Sequence, residues 1–445
     1  MATTATTWGS RIGFILAGAG SAIGLGSIWK FPFWAGINGG SGFIIPYIIF
    51  TFTIGITLLI AELVVGRAGR GSALHALKHL GGPVFSVMGG IAVLTSFVIL
   101  SYYSVVGGWC VKYLFDSLCG ELVTNDPKVL QATFGALVGD GLTNSLWHFS
   151  FLTLTCGVVA LGVVNGIERL SKYLLPTLFI LMIVIMIRSL SLPGAMEGVK
   201  FLFMPRWEDF SGSALFNAMG FCFFSLSLGA GTMITYGTYL SDKANLPGSV
   251  GWVAVLAILS SLLGGLMVMP AVFAFGLDPA AGPGLTFVTM PAIFAKMPMG
   301  QLFAVFFYVC LVVAALTSSV SMLEACTALL SKEFNLPRRT AIFTTVAGAA
   351  VVGLIANLSF GAWSDVKFFG KNIFDLLDFV TSNVGMPLST FGIAIAAAWV
   401  AWPVMRNQLN YEGGVSDSWL KAARILIGVI SPLFVLIVAL GGLFG

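Results

Sequence analysis

Two glycine-rich runs carry the chemistry of this chain. They are Gly18-Ala19-Gly20-Ser21-Ala22-Ile23-Gly24-Leu25-Gly26 and Ser225-Leu226-Ser227-Leu228-Gly229-Ala230-Gly231. Each lies midway along an apolar segment long enough to cross a bilayer. Backbone in lipid must satisfy its own hydrogen bonds, so an interruption survives only where protein buries it or a cavity lies beside it. The N–H groups and carbonyls freed there can hold a small zwitterion and a dehydrated cation. Interrupted spans in both halves of a polytopic chain point to a transporter's central site. The plainer reading is helix packing, since Gly20-x-x-x-Gly24 is a close-approach pattern. Two runs at matching places weaken it.

The surrounding elements must be membrane helices. The chain has 445 residues, 58% hydrophobic and 9% charged, with a mean hydropathy of +0.98. Soluble domains are about 25% charged. Apolar runs of roughly 20 residues predict eleven spans, at about 11–37, 42–66, 85–115, 147–164, 171–190, 211–240, 248–276, 301–330, 339–357, 373–403 and 423–443. The loop 118–146 has room for a short helix. The stretch 286–296, bracketed by Pro283 and Pro298, reads as a re-entrant or surface helix. Arg67, Arg70, Lys78, Arg169, Lys172, Lys332, Arg338, Arg339, Arg406, Lys421 and Arg424 all fall in loops on one side. That side is expected to be cytoplasmic. The N-terminus is then cytoplasmic and the C-terminus outside, in the cell (inner) membrane. No cleavable signal peptide is expected in residues 1–10.

The net charge of +4 reflects this bias, and no nucleic-acid partner is expected. The six cysteines fall almost all within spans, without metal spacing, and read as buried thiols. His75, His79 and His148 read as solvated loop residues. A Ser-His-Asp set, a metal cluster and a Walker loop are all missing from the sequence pattern. It therefore predicts neither an enzyme nor a primary pump.

The runs fall in spans 1 and 6. This spacing predicts two five-span repeats, about 11–190 and 211–403, with an extra span at about 423–443. Five is odd, so the second repeat is inverted, which permits alternating access around a fixed midplane site. At this point the residues resemble a family. Gly20-Ser-Ala-Ile-Gly-Leu-Gly-Ser-Ile-Trp-Lys-Phe-Pro32, Asn38-Gly-Gly40 and Ile45-Pro-Tyr47 are similar to the first-span signature of the neurotransmitter:sodium symporters. Glu62 with Gly66-Arg67, Tyr102-Tyr103, Trp109, Gly166-Ile-Glu-Arg169, Pro176, Phe223-Phe-Ser-Leu-Ser-Leu-Gly229, Pro291-Ala-Ile-Phe294 and Leu316-Thr-Ser-Ser319 continue the match in order. The resemblance implies an all-α integral membrane protein with a leucine-transporter-type fold, broken at helices 1 and 6. It also implies sodium-coupled amino-acid symport. Inverted-repeat geometry is inherited from that family.

By position, the resemblance puts the substrate among Ala22, Leu25, Gly26, Ile99, Tyr103, Phe224, Ser225, Ser227, Ala230, Ser318 and Met322. The N–H groups near Leu25 and Gly26, at a half-helix N-terminus, and the Tyr103 hydroxyl would hold the carboxylate. Carbonyls near Ala22, Phe224, Ser225 and Ser227 would accept from the ammonium. Leucine-selective relatives carry a bulky aromatic where this chain has Ala230, so a large hydrophobic or aromatic neutral amino acid is expected. The second sodium site would use Gly20, Ile23, Ala314, Thr317 and Ser318.

Several positions depart from the family. At the first sodium site Ala22 and Ser225 remain, but Ser27 and Leu256 replace two asparagines and Phe221 replaces a glutamine. Tyr47, Ser225 and Ser260 alone make a thin chloride cage. One sodium per substrate and no chloride requirement are therefore expected. The outer gate would be Lys30 with Asp378, in place of an arginine pair, and lysine lacks the bidentate fork. The cytoplasmic pair is lost at both positions, Ala5 and Lys332. Trp8 is expected to plug the inner end, and Tyr103 and Phe224 to form an aromatic lid. Glu62 suits a structural hydrogen bond to the unwound backbone of spans 1 and 6. Glu324 has no evident role in the sequence. The altered first site leaves open a proton-coupled or exchange carrier of the same fold, or a sensor or channel that binds without accumulating.

Overall fold

In the computed structural model, residues 7–444 are described apart from 123, 125, 280–283 and 411–414. Ala5 and Pro283 lie outside the described residues. Helices make up the fold, and the described residues include one isolated β-bridge, between Phe368 and Lys371. Eight continuous helices are long and apolar enough to span: Ser41–Gly69 (span 2), Pro83–Cys119 (span 3), Val163–Leu190 (span 5), Leu246–Ala274 (span 7), Gly300–Glu333 (span 8), Arg338–Leu358 (span 9), Ile373–Val400 (span 10) and Asp417–Gly442 (span 11). Span 1 is a pair, Arg11–Ala22 and Gly26–Ile37, bent by 51°. Span 4 is Gly141–Ala160. Span 6 is split into Gly212–Ser225 and Thr232–Thr238. Eleven spans result.

The breaks have local causes. Span 1 leaves helical geometry at Ile23, with ψ at 76°. In span 6, Gly229 and Gly231 have φ of 77° and 70°, left-handed values that glycine adopts without a Cβ penalty. Ser227 shares that region at φ 54°, and its side chain is held across the break. The freed polar groups of span 6 find partners in neighbouring spans. The Gly229 N–H donates to Glu62 Oε1 at 2.6 Å. Ser389 donates to the Gly229 carbonyl, and Ser96 to that of Ala230, both at 2.5 Å. Glu62 therefore braces span 6, as expected, and among the described residues no hydrogen bond from it to span 1 is seen. Unpaired backbone in an apolar interior costs several kcal/mol per group, so these side chains make the break tenable.

Span 8 forms the centre, with 72% of its apolar window buried, against 28% for span 5 and 33% for span 11. Close packing also fixes span 2 against the second half of span 6. A Cβ on Gly66 would fall 1.9 Å from the Ile234 carbonyl oxygen, and one on Gly237 2.4 Å from that of Leu63. This contact lets Arg70 reach the carbonyls of Thr238 and Leu240, at 2.7 and 2.6 Å. Arg67, only 1% exposed, donates to those of Ala244 and Gln408. Both arginines thus satisfy backbone carbonyls where helices end.

The loop 118–146 does carry a helix, Pro127–Gly139. The 286–296 stretch is Leu285–Lys296, a π-helical turn followed by a short helix with a buried face. The histidines are not solvated loop residues as expected: His75 and His79 lie on the short helix Ala73–Gly81. His148 is fully buried in span 4, between the Ser104 hydroxyl at 3.0 Å and the Ala350 carbonyl at 3.4 Å. Span 4 begins earlier than its hydropathy suggested, at Gly141, because Asp140 caps its first turn.

Candidate functional site

A cavity of about 290 Å³ opens beside both breaks. Ala22, Leu25, Gly26, Ile99, Tyr103, Phe224, Ser227, Ala230, Ser318 and Met322 all line it. Ser225 does not. Its hydroxyl turns away to the Cys222 carbonyl, 3.1 Å distant, since it belongs to the last turn of the first half of span 6. The sequence reading missed Ser21, Val106, Thr232, Phe374 and Met386, which also line the cavity. Ser21 lies within the first glycine-rich run itself, while Val106, Thr232, Phe374 and Met386 gave no signal by type and arrive with spans 3, 6 and 10.

At the floor, the Leu25 N–H donates to the Tyr103 hydroxyl at 3.1 Å. The tyrosine accepts in that bond, so its own proton remains available to donate. Glycine is required on the facing edge. A Cβ on Gly24 would meet Ser318 Oγ at 2.6 Å, and one on Gly26 would meet the Phe224 ring at 2.6 Å. The charged residues of the lining are Lys30, Asp375 and Asp378, and the rest of the cavity is bordered by neutral groups.

Spans 1 and 8 meet through oxygens. Ser318 Oγ lies 3.1 Å from the Ser21 carbonyl oxygen and 3.4 Å from that of Gly20. Thr317 Oγ1 lies 3.1 Å from the Ala314 carbonyl oxygen. Ser227 donates to the same Ser21 carbonyl at 2.8 Å. Ile23 is fully buried at the break itself. Four of the five residues expected at the second ion site are thus joined by contacts between oxygens, with Ser21 added.

The other face of the break looks onto span 7. Ser27 accepts from Ser260 at 3.1 Å and from Ser261 at 3.4 Å, and Tyr47 pairs with Ser261 at 3.3 Å. Ser260 also donates to the Ala257 carbonyl. These hydroxyls mainly satisfy one another. Phe221 packs against the Tyr47 ring, with centroids 5.0 Å apart, so an apolar ring closes this side. Leu256 packs against the apolar core.

The two ends of the molecule differ. At one end Lys30 Nζ stands 3.7 Å from Asp378, which also accepts from Tyr102 at 2.9 Å. The lysine lies 4.1 Å over the Phe224 ring. No ring pair joins Tyr103 to Phe224 among the described residues, so the expected lid is not closed. The cavity runs past them to Trp29, Phe374 and Asp375. At the opposite end stands Trp8. Its indole N–H donates to the Tyr236 carbonyl and its backbone N–H to that of Tyr239, both at 3.0 Å. Glu324, 0% exposed, accepts two bonds from Arg338, at 2.9 and 2.6 Å, and one from Tyr239 at 2.6 Å. Its role here is to tie spans 6, 8 and 9 together at that end.

Comparison with known proteins agrees with this geometry. A family model described as the sodium:neurotransmitter symporter family matches residues 5–132 and 140–444. An uncharacterized sodium-dependent transporter of Bacillus subtilis is 39% identical, over 97% of this chain and 96% of its own length. One from Haemophilus influenzae is 32% identical, over 98% of each. Among solved structures, that of MhsT in complex with L-phenylalanine superposes with a TM-score of 0.91 at 37% identity, covering 98% of this chain and 99% of that one.

Proposed function

The chain belongs to the sodium:neurotransmitter symporter family, and we propose that it takes up a neutral amino acid with a large hydrophobic or aromatic side chain, driven by sodium. One observation carries the reading. The cavity joins the Tyr103 hydroxyl at the first break to the small side chain of Ala230 at the second. The amino-acid carboxylate sits against the Leu25–Gly26 turn, where half-helix N–H groups and Tyr103 donate. Its ammonium faces the carbonyls of Ala22, Phe224 and Ser227. The side chain extends toward Ile99, Ala230, Ser318 and Met322. With no bulky residue at Ala230, space remains for a large group. A structural relative that binds L-phenylalanine supports the same size class.

One sodium binds between spans 1 and 8, on Gly20, Ile23, Ala314, Thr317 and Ser318. It holds the break to the scaffold while substrate occupies the cavity. The first site, at Ala22, Ser27 and Ser225, holds no second sodium, and chloride is not required. Residues 11–190 and 211–403 form two inverted repeats that rock around this site, with 423–443 added. The protein lies in the cell (inner) membrane, its N-terminus cytoplasmic and its C-terminus outside.

Uptake of labelled amino acids into proteoliposomes, with and without an inward sodium gradient, tests the reading. Accumulation of large neutral amino acids only with the gradient is expected. Accumulation that ignores sodium, or saturable binding without accumulation, would refute it.

A further inference from the structure

The positions where the family places its cytoplasmic ion pair hold Ala5 and Lys332. Alanine carries no charge, so no ion pair forms there. Yet the residues from Trp8 to Gly13 are held on several sides. Trp8 bonds the end of span 6, as described above. Arg11 Nε donates to Ser249 Oγ of span 7 at 3.2 Å. The densest contact is with Glu168, in the π-helical turn Val163–Glu168 that opens span 5. Its Oε2 accepts from the Gly9 N–H at 2.7 Å, and its Oε1 from the Ser10 hydroxyl at 2.9 Å. Lys172, one turn on, donates to Oε1 at 2.7 Å. A Cβ on Gly13 would fall 2.0 Å from Oε1, so the carboxylate is seated in the groove that this glycine leaves.

Glu168 is 1% exposed. Charge-assisted bonds of this kind are roughly twice as strong as neutral ones. The carboxylate has more reason to be buried here than a single lysine neighbour supplies, because two of its three donors come from the N-terminal segment. If that segment leaves, Glu168 keeps only Lys172.

We propose that Glu168 is the positioning residue of the cytoplasmic gate. It seats residues 9–13 against span 5 and closes the inner path in place of an ion pair. Opening to the cytoplasm requires those bonds to break, so the latch sets the balance between outward- and inward-facing states. The proposal rests on the transport reading above for its role in a cycle, and its test is chosen to fail separately.

Spin labels at Ile12→Cys and Phe334→Cys, both at exposed positions, would report the separation of the N-terminal helix from the span 8–9 loop. Cys119→Ser removes the exposed native thiol. Distances are read in nanodiscs, first without sodium or amino acid and then along a sodium titration. Glu168→Gln is expected to move the distribution to longer separations. It should also raise the sodium concentration that restores the short distance by about tenfold, as a shifted two-state balance requires. High sodium should still restore it. Ser10→Ala should shift both in the same direction by less, and it decides the matter if Glu168→Gln aggregates. A lowered melting temperature with distances and sodium midpoint unchanged would mean that Glu168 only packs, and would overturn the proposal. If sodium never shortens the distance while the variants still lengthen it, the latch stands and the sodium reading falls.

Discussion

The break in span 1 has two faces, and they differ in what their oxygens can do. Toward span 8, the carbonyls of Gly20, Ser21 and Ala314 meet the hydroxyls of Thr317 and Ser318. The carbonyls carry spare lone pairs, and a hydroxyl can turn its proton aside to present oxygen to a cation. Toward span 7, Ser27, Ser260, Ser261 and Tyr47 form a chain of hydroxyls, with Phe221 closing one side. Replacing a sodium hydration shell takes several strong dipoles at once. Carbonyls left free in the last helical turn before the break supply them; serine hydroxyls that already satisfy each other do not. On this account the same broken helix supports an ion on one side only.

The harshest way to break the comparison is Thr317→Ala with Ser318→Ala. The double variant should bind substrate without sodium dependence, read by sodium titration of equilibrium binding. Wild-type activation would place the ion elsewhere. Tyr103→Phe comes next, because it removes a charge-assisted donor worth about 1.5–3 kcal/mol, or roughly tenfold to a hundredfold in affinity. Unchanged affinity would remove this tyrosine from the carboxylate site. Ala230→Phe should cut uptake of large side chains and spare small ones, measured by competition across the amino acids. Equal loss for all would remove Ala230 from the side-chain pocket. The smallest effect sharpens the other face. Ser27→Ala should leave the sodium concentration for half-maximal uptake within about threefold of wild type, since no ion ligand is lost and only weak hydroxyl bonds of about 1 kcal/mol are. A much larger shift would mean that Ser27 holds an ion.

Much of this was legible in the sequence, for identifiable reasons. Hydropathy located the eleven spans, because lipid imposes length and composition together. Glycine runs located both breaks, since left-handed backbone at Gly229 and Gly231 and close approach at Gly24 need that residue. The helix in span 1 nonetheless continues through Gly18 and Gly20 to Ala22, so only the end of the run is unwound. Ser225, placed by family position, does not line the cavity because it still belongs to a regular turn. Phe374 and Met386 were missed because span 10 reaches the cavity only through tertiary packing. His148 and Glu324 were misjudged or left without a role for a related reason. Their partners, Ser104 and Arg338, are brought close by packing that no single-span pattern records. The inner closure was the least legible of all, for Gly9 and Ser10 contribute a backbone N–H and a hydroxyl that carry no sequence signature.

The central claim is a single sodium, held on the span 8 face and coupled to substrate without chloride. Sodium activation of uptake into proteoliposomes, with gluconate replacing chloride throughout, tests it most directly. The account predicts a hyperbolic curve with a Hill coefficient near one and full uptake in gluconate. A steeply sigmoidal curve, or uptake lost in gluconate, would contradict it and return an ion to the span 7 face.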